Sequence, residues 1–239
     1  MDQCLNMCSS GLLVNGVPLD TYGGAALLDY SVSETEINNY TFQGINRTTW
    51  RNLKSVFGLR PVAITIVFKG PSLHEVKLQR AKFNLDVFGG CDLYIVDDGF
   101  YYDVTCESYG AEDLVGSGDR TAQIKAKYTF KGIRHDPLVS ETIPAGASVY
   151  CRSFMPFTDA RLTATVGTAA ASYTLGGATF SNVAAGDVLV FDGIDGKITK
   201  NGQPYAANVS WVNFPALTPG WNVNDSPDPV LFEYVPAYI

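Results

Sequence analysis

Gly186-Asp-Val-Leu-Val-Phe-Asp-Gly-Ile-Asp-Gly-Lys-Ile-Thr-Lys-Asn-Gly202, with Phe214-Pro-Ala-Leu-Thr-Pro-Gly-Trp-Asn222 after it, decides the fold class. Val188 to Phe191 is a run of strand formers, and Lys197 to Lys200 is a second short strand after the Asp195-Gly196 turn. Asn201-Gly202 reverses the chain again, because both central residues of a type I′ turn need positive φ, which Asn and Gly tolerate best. Pro215 and the Pro219-Gly220 pair interrupt pairing before Trp221 and Val223 resume it. These signals describe a β-meander at the edge of a small sandwich or barrel, with no chemistry in it.

Working outward, strands recur at short intervals from Ala147: Val149 to Phe154, Arg161 to Val166 and Ser172 to Leu175 precede the meander. Turn signals stand at Gly176-Gly177 and Ala185-Gly186, and that spacing predicts a β-sandwich. His135-Asp136-Pro137 is a natural break, since proline restricts the residue before it and cannot donate to a ladder. The division expected is 1–137 and 138–227, with 228–239 able to return to the first domain.

The first part is more charged. Leu12 to Pro18 reads as a strand and turn about Asn15-Gly16. Trp50, Leu53, Val56 and Phe57 fall at helical spacing behind Thr48 and Thr49, which predicts a short helix closed by Gly58. Val62 to Phe68 is a strand apolar enough for burial on both faces. Ser72-x-x-Glu75 is a capping box opening a helix toward Phe88, with Leu73, Val76, Phe83 and Val87 on one face and Gly89-Gly90 as the stop. Leu93 to Val96 and Phe100 to Val104 form a hairpin about Asp98-Gly99. From Gln123 to Lys131, Ile124, Ala126, Tyr128 and Phe130 point one way and Lys125, Lys127 and Lys131 the other. The fold class is mainly β with a minor helical part of one or two helices.

The 239 residues allow one large domain or two of ordinary size, and 46% hydrophobic residues exclude wholesale disorder. A formal charge of −7 excludes a basic nucleic-acid binder. It suits a wall that nucleic acid slides past without sticking. No apolar run is long enough to span a bilayer. The start carries no basic segment followed by an apolar one, so no secretory signal is expected. The cysteines at 4, 8, 91, 106 and 151 are odd in number and scattered, which predicts free thiols. Cys4-x-x-x-Cys8 lacks a second ligand pair for zinc.

The ordered series Gly186 to Gly202 and Phe214 to Asn222 resembles the C-terminal half of the distal tail (Dit) proteins of long-tailed phages. Val230-Leu-Phe-Glu-Tyr-Val-Pro236 is similar to that family's terminal strand. The order of strand, capped helix, hairpin and amphipathic strand from Val62 to Lys131 resembles its ring-forming N-terminal domain, more loosely; Thr21 to Arg47 contributes little. The resemblance implies an N-terminal β-sandwich ring domain and a C-terminal galectin-like sandwich. It implies a homo-hexameric ring at the virion tail tip, made in the host cytoplasm. The tail tube protein would lie on one side and the tip or hub protein on the other. Tape measure protein and DNA would pass through the lumen, and receptor-binding proteins would be carried outside. Another tail ring or baseplate component, or a sugar-binding sandwich in host recognition, are the alternatives.

Site chemistry is sparse. Asp97-Asp98-Gly99 and Asp192-x-x-Asp195 lack the alternation of a calcium loop and read as turn carboxylates. Gly116-Ser-Gly118 lacks the context of a phosphate cradle. His74 in the helix and His135 in a linker have no nucleophile motif beside them. No catalytic, cofactor-binding or metal-ligating residue is assigned, and no enzyme is expected. Trp211 and Trp221 are read as packing residues, with a sugar platform as the alternative. The candidate partner contact is Lys125, Lys127 and Lys131 with Arg134 beyond them, against a solvated sheet face as the plainer reading.

Overall fold

The computed structural model describes residues 11–43, 50–115 and 122–238. Cys4, Cys8, Thr48, Thr49 and Gly116-Ser-Gly118 lie outside the described residues. Among the described residues the protein is mostly strand with one α-helix, Leu73–Phe88. It divides into two compact units, one up to His135 and one from Asp136 to Tyr238.

In the first unit an antiparallel sheet runs in the order Val17–Pro18, Leu12–Val14, Cys91–Ile95, Phe100–Val115, Ala122–His135, Arg60–Gly70, Ala26–Val32. Asn15 and Gly16 both have positive φ in the first turn, as a type I′ hairpin requires. Along Ala122–His135 alternation puts Ile124, Ala126, Tyr128 and Phe130 at 0% exposure. The neighbouring Arg60–Gly70 strand buries Val62, Ile64, Ile66 and Phe68 in the same core cluster. Its other face is half-buried at Ala63 and Thr65 and closed only at Val67, so burial on both faces holds for part of its length.

Ser72 caps the helix by accepting from the Glu75 backbone N–H (3.3 Å). Val76, Phe83 and Val87 form its buried face, while Leu73 stands outside it, half-exposed in the first turn. Phe83 is the hub of the packing. Its ring lies 5.2 Å from Tyr22, 5.7 Å from Phe68 and 5.1 Å from Tyr128, centroid to centroid. The tyrosine hydroxyls leave this cluster toward the helix, Tyr22 donating to Asp86 (2.6 Å) and Tyr128 to Asn84 (2.7 Å). Burial, then the Asp86 partner, pushes the Tyr22 phenol above its usual range, so both rings stay neutral donors.

Residues 50–57 are not helical. Trp50–Phe57 is a strand paired with Ile37–Gln43 in a ribbon of its own. The helical spacing of Trp50, Leu53, Val56 and Phe57 is overridden by pairing with Ile37–Gln43. His135 is the last residue of Ala122–His135 rather than part of a linker, and its Nε2 lies 3.2 Å from Asp92 Oδ1.

In the second unit one sheet runs Val139–Ile143, Val230–Tyr234, Thr158–Thr165, Val188–Asp192, Lys197–Lys200, Gln203–Pro204, with Ala216–Leu217 on the start of Thr158–Thr165. A three-stranded sheet (Ala170–Leu175, Ala178–Val183, Val209–Ser210) and a ribbon (Ser148–Cys151 with Gly220–Val223) complete it. All three send side chains into one core cluster, among them Leu162, Phe180, Phe191, Val149 and Phe232. Val230–Tyr234 pairs on both sides within the second unit, against Val139–Ile143 and Thr158–Thr165. Its inward Val230, Phe232 and Tyr234 complete that core.

Replacing Phe83 by alanine removes the ring at the centre of the cluster and should cost about 3–5 kcal/mol. Leu78→Ala, on the exposed side of the same helix, should stay within about 0.5 kcal/mol. Urea unfolding of the two variants checks both, and equal effects would contradict the packing described.

Candidate functional site

Two surfaces carry the chemistry that the sequence singled out. On the outward face of Ala122–His135, Lys125 and Lys127 are exposed and Lys131 half-buried. Lys125 lies opposite Val67 and Lys127 opposite Thr65. A bulge between Cys106 and Ser108 inserts Glu107 into the neighbouring strand, and its carboxylate pairs with Lys131 Nζ at 3.2 Å. Arg134 does not share this face. Even-numbered residues of the strand point to the core side, and its guanidinium lies 4.4 Å from the Phe100 ring centroid. The structure brings the three lysines together and separates Arg134 from them.

The second surface is built by the Gly186–Asn222 series, whose polar residues turn out to be its framework. Asp187 accepts from the Ala184 N–H (2.7 Å) and from Asn201 Nδ2 (2.8 Å), and Lys200 Nζ lies 3.1 Å away. Asn201 in turn accepts from the Val188 N–H (2.8 Å), tying the type I′ turn to the strand it follows. The Ala184 N–H, Asn201 and Lys200 hold the Asp187 carboxyl below the usual range. Asp192 accepts from the N–H groups of Ile194 and Asp195 with one oxygen and from Arg161 Nε (2.7 Å) with the other. Burial alone would raise this carboxyl, but the Asp195 N–H, Arg161 and the Ile194 N–H outweigh it and hold it low. Arg161 also reaches Asp195 at 3.2 Å. These carboxylates bond their own turns and one arginine, as turn residues do. Gly193 must lack a side chain, since a Cβ there would lie 2.5 Å from the Pro215 carbonyl oxygen.

Around Phe214–Asn222, the Asn222 side chain accepts from the Thr218 N–H (3.0 Å) and donates to the carbonyls of Thr218 (2.8 Å) and Gly220 (3.0 Å). That fixes the Pro219-Gly220 turn and presents Trp221 to solvent. Trp221 is 70% exposed and packs edge-on against Tyr150, its cross-strand partner, at 5.1 Å. It is not a core residue of the second unit. Inward-facing positions of this ribbon are taken by Val149 and Cys151, so alternation leaves Tyr150 and Trp221 outside. Trp211 is half-exposed, 6.3 Å from the Phe214 ring.

Sequence reasoning missed two features. Asn224, buried at 2% exposure, donates to the carbonyls of Ile143, Pro144 and Asp228, while Asp225 accepts from the N–H groups of Gly176 and Gly177 (2.8 Å each). The Asn-Asp-Ser-Pro-Asp run was a readable turn signal. His74, Leu78, Ala81, Leu85 and Phe88 also recur at heptad spacing on the helix side opposite Phe83, and Leu85 is 81% exposed.

No protein-family model matches the chain, and no curated protein matches it in sequence. Solved structures do. The Dit protein of phage SPP1, described as a paradigm of the hub adsorption apparatus in phages infecting Gram-positive hosts, superposes with a TM-score of 0.69 at 12% identity, over 96% of this chain and 99% of that one. A chain of the phage p2 baseplate in its calcium-activated conformation gives 0.53 at 10% identity, over 92% of each. The strontium form of that baseplate gives 0.51 at 11% identity, over 91% and 92%. The chain has the fold of a phage Dit protein. The fold likeness spans both units.

The carboxylate framework sets a pH dependence. Asp187 and Asp192 titrate lower when folded than in the unfolded chain, where carboxyls sit near about 4. The unfolded state therefore binds more protons below that value, and the stabilisation is present above about pH 4 and lost as pH falls through the lower folded values. The urea midpoint of the protein should fall between pH 5 and pH 2, and Asp187→Asn with Asp192→Asn should flatten that fall from a lower start. An unchanged slope in the double variant would contradict the assignment.

Proposed function

We propose that the protein is a non-enzymatic structural component of a phage tail tip or baseplate, a member of the Dit family that forms a homo-hexameric ring. The single observation that carries this reading is the fold likeness to SPP1 Dit over 96% of the chain. In this reading the ring joins the tail tube protein to the tip or hub protein. Its lumen passes tape measure protein and DNA, and receptor-binding proteins attach outside. The first unit, with 1–137 as its proposed extent, makes the ring, and the second is a galectin-like sandwich. The protein is made in the host cytoplasm and ends at the virion tail tip.

Three features of the first unit favour assembly with other chains. The ribbon of Ile37–Gln43 and Trp50–Phe57 pairs with no other described strand, and it exposes Ile37 and Tyr40. Two-stranded ribbons are marginal alone in water, so a covering partner would stabilise this one. The helix presents Leu78 and Leu85 outward. The lysine face offers cations on a chain of net charge −7, which suits a neighbour's carboxylates. The acidic balance also suits a conduit, because it repels phosphate.

Light scattering and negative-stain microscopy of the protein, alone and with its tip partner, test the ring; a strict monomer in both conditions would sink it. Changing Lys125, Lys127 and Lys131 together to glutamate should abolish assembly while leaving the melting temperature near wild type, since exposed charges are each worth only about 0–1 kcal/mol to the fold. Added salt should weaken wild-type assembly, because screening acts beyond about 8–10 Å. A triple variant that assembles normally at low salt would leave these lysines as a solvated sheet face.

A further inference from the structure

Two grooves of the second unit share Gly176, Pro215 and Ala216 in their walls. The smaller, about 370 Å³, runs past Trp221, Val223 and Asp225 over a floor of Leu162 and Phe232. The larger, about 670 Å³, opens between Phe157, Val212 and Phe214, with Asp159 at its edge. Such volumes are within the range of small-ligand sites, and the walls mix polar groups, among them Asp159, Asn213, Asn222 and Asp225, with apolar surface. Exposed rings stand at both ends, Trp221 at 70% and Phe157 at 72% exposure, and Tyr150 backs Trp221.

The polar groups define what fits. Neither groove is lined by a lysine, arginine or histidine, and the titratable groups in the walls are Asp159 and Asp225. An anionic ligand would meet only carboxylates and is disfavoured. Asp225 is held in place, one oxygen accepting from the Gly176 N–H and the other from the Gly177 N–H, both at 2.8 Å. Positive φ at both glycines aims those two donors at it. Each carboxylate oxygen has a second lone pair for a ligand O–H donor. The matching ligand has flat apolar C–H faces to lie on an aromatic ring and hydroxyl groups to donate to a carboxylate, with no negative charge.

We propose that this double groove binds a neutral oligosaccharide, one sugar ring stacked on Trp221 and donating hydroxyl hydrogens to Asp225, the next passing over Pro215 toward Phe157. This is separate from assembly, since the grooves lie wholly in the second unit, and it stands or falls without the ring. Nothing in it uses the basic or histidine partners of a galectin-type site; the acceptors are carboxylates.

The test is an array of neutral oligosaccharides built from glucose, galactose, rhamnose and N-acetylglucosamine, with hexagalacturonate as the anionic control, probed with the full chain. Each hit is then titrated by tryptophan fluorescence. Saturable binding of a neutral oligosaccharide is expected, weakened at least about tenfold by Trp221→Ala and by Asp225→Asn, with hexagalacturonate bound no better than background. Trp221 is on the surface, so its loss should leave the unfolding midpoint close to wild type, and unfolding of Asp225→Asn is measured alongside to separate binding from folding. No neutral glycan above background, equal binding by Trp221→Ala, or preference for hexagalacturonate each overturns the proposal. Trp221→Ala that changes oligomeric mass but not glycan binding would instead make this surface a protein contact and overturn it as well.

Discussion

Strand register between Arg60–Gly70, Ala122–His135 and Phe100–Val115 is the constraint on which the first unit depends. Side chains alternate with period two, so a slip of one residue would send Ile124, Ala126, Tyr128 and Phe130 to the solvent side and the lysines into the core. Gly132 shows how closely the strands meet: a Cβ there would lie 2.0 Å from the Asp103 carbonyl oxygen. The same register places Tyr128 under Phe83, and that contact seats the helix. The outward faces of helix and sheet, on which assembly is proposed, are therefore fixed by what lies beneath them.

The second unit solves a different problem. Its strands are short and its turns many, so backbone donors at turns need partners that no ladder supplies. Carboxylates and side-chain amides supply them: Asp187, Asp192, Asn201, Asn222, Asn224 and Asp225 each accept from at least one backbone N–H. Such a framework produces an ordered series of polar residues at turn positions. The residues repeat at turn positions because turns require them, and the exposed rings are displayed by the rigidity that results.

Local chemistry was legible in the sequence. Ser72 as a cap, Asn15-Gly16 and Asn201-Gly202 as turns, and the alternation from Gln123 to Lys131 each depend on residues a few positions apart. The strand at 50–57 was not legible, because its identity rests on pairing with Ile37–Gln43, while the local spacing of its four apolar side chains favours a helix. That Trp221 lies outside the core depends on the parity of its strand. That parity could be read from Val149 and Cys151 only once the pairing was known. For Arg134 the information was present: counting in twos from Phe130 puts it on the core side. The Arg161 contacts to Asp192 and Asp195 link positions distant in sequence, and no local pattern announces them.

Placing Val230–Tyr234 between Val139–Ile143 and Thr158–Thr165 has a consequence for how the chain matures. Among the described residues, the strands from Leu12–Val14 to Ala122–His135 are all made by His135, before synthesis of the second unit begins. The second leaves a gap at the middle of its main sheet until residue 234 has emerged. At about 5–20 residues per second the gap stays open for several seconds. During that interval two strand edges face outward with no neighbour, each a template for another nascent chain. Arg161 on one of those strands and Glu141 on the other put charge on the open edges, a natural brake against pairing with the wrong strand.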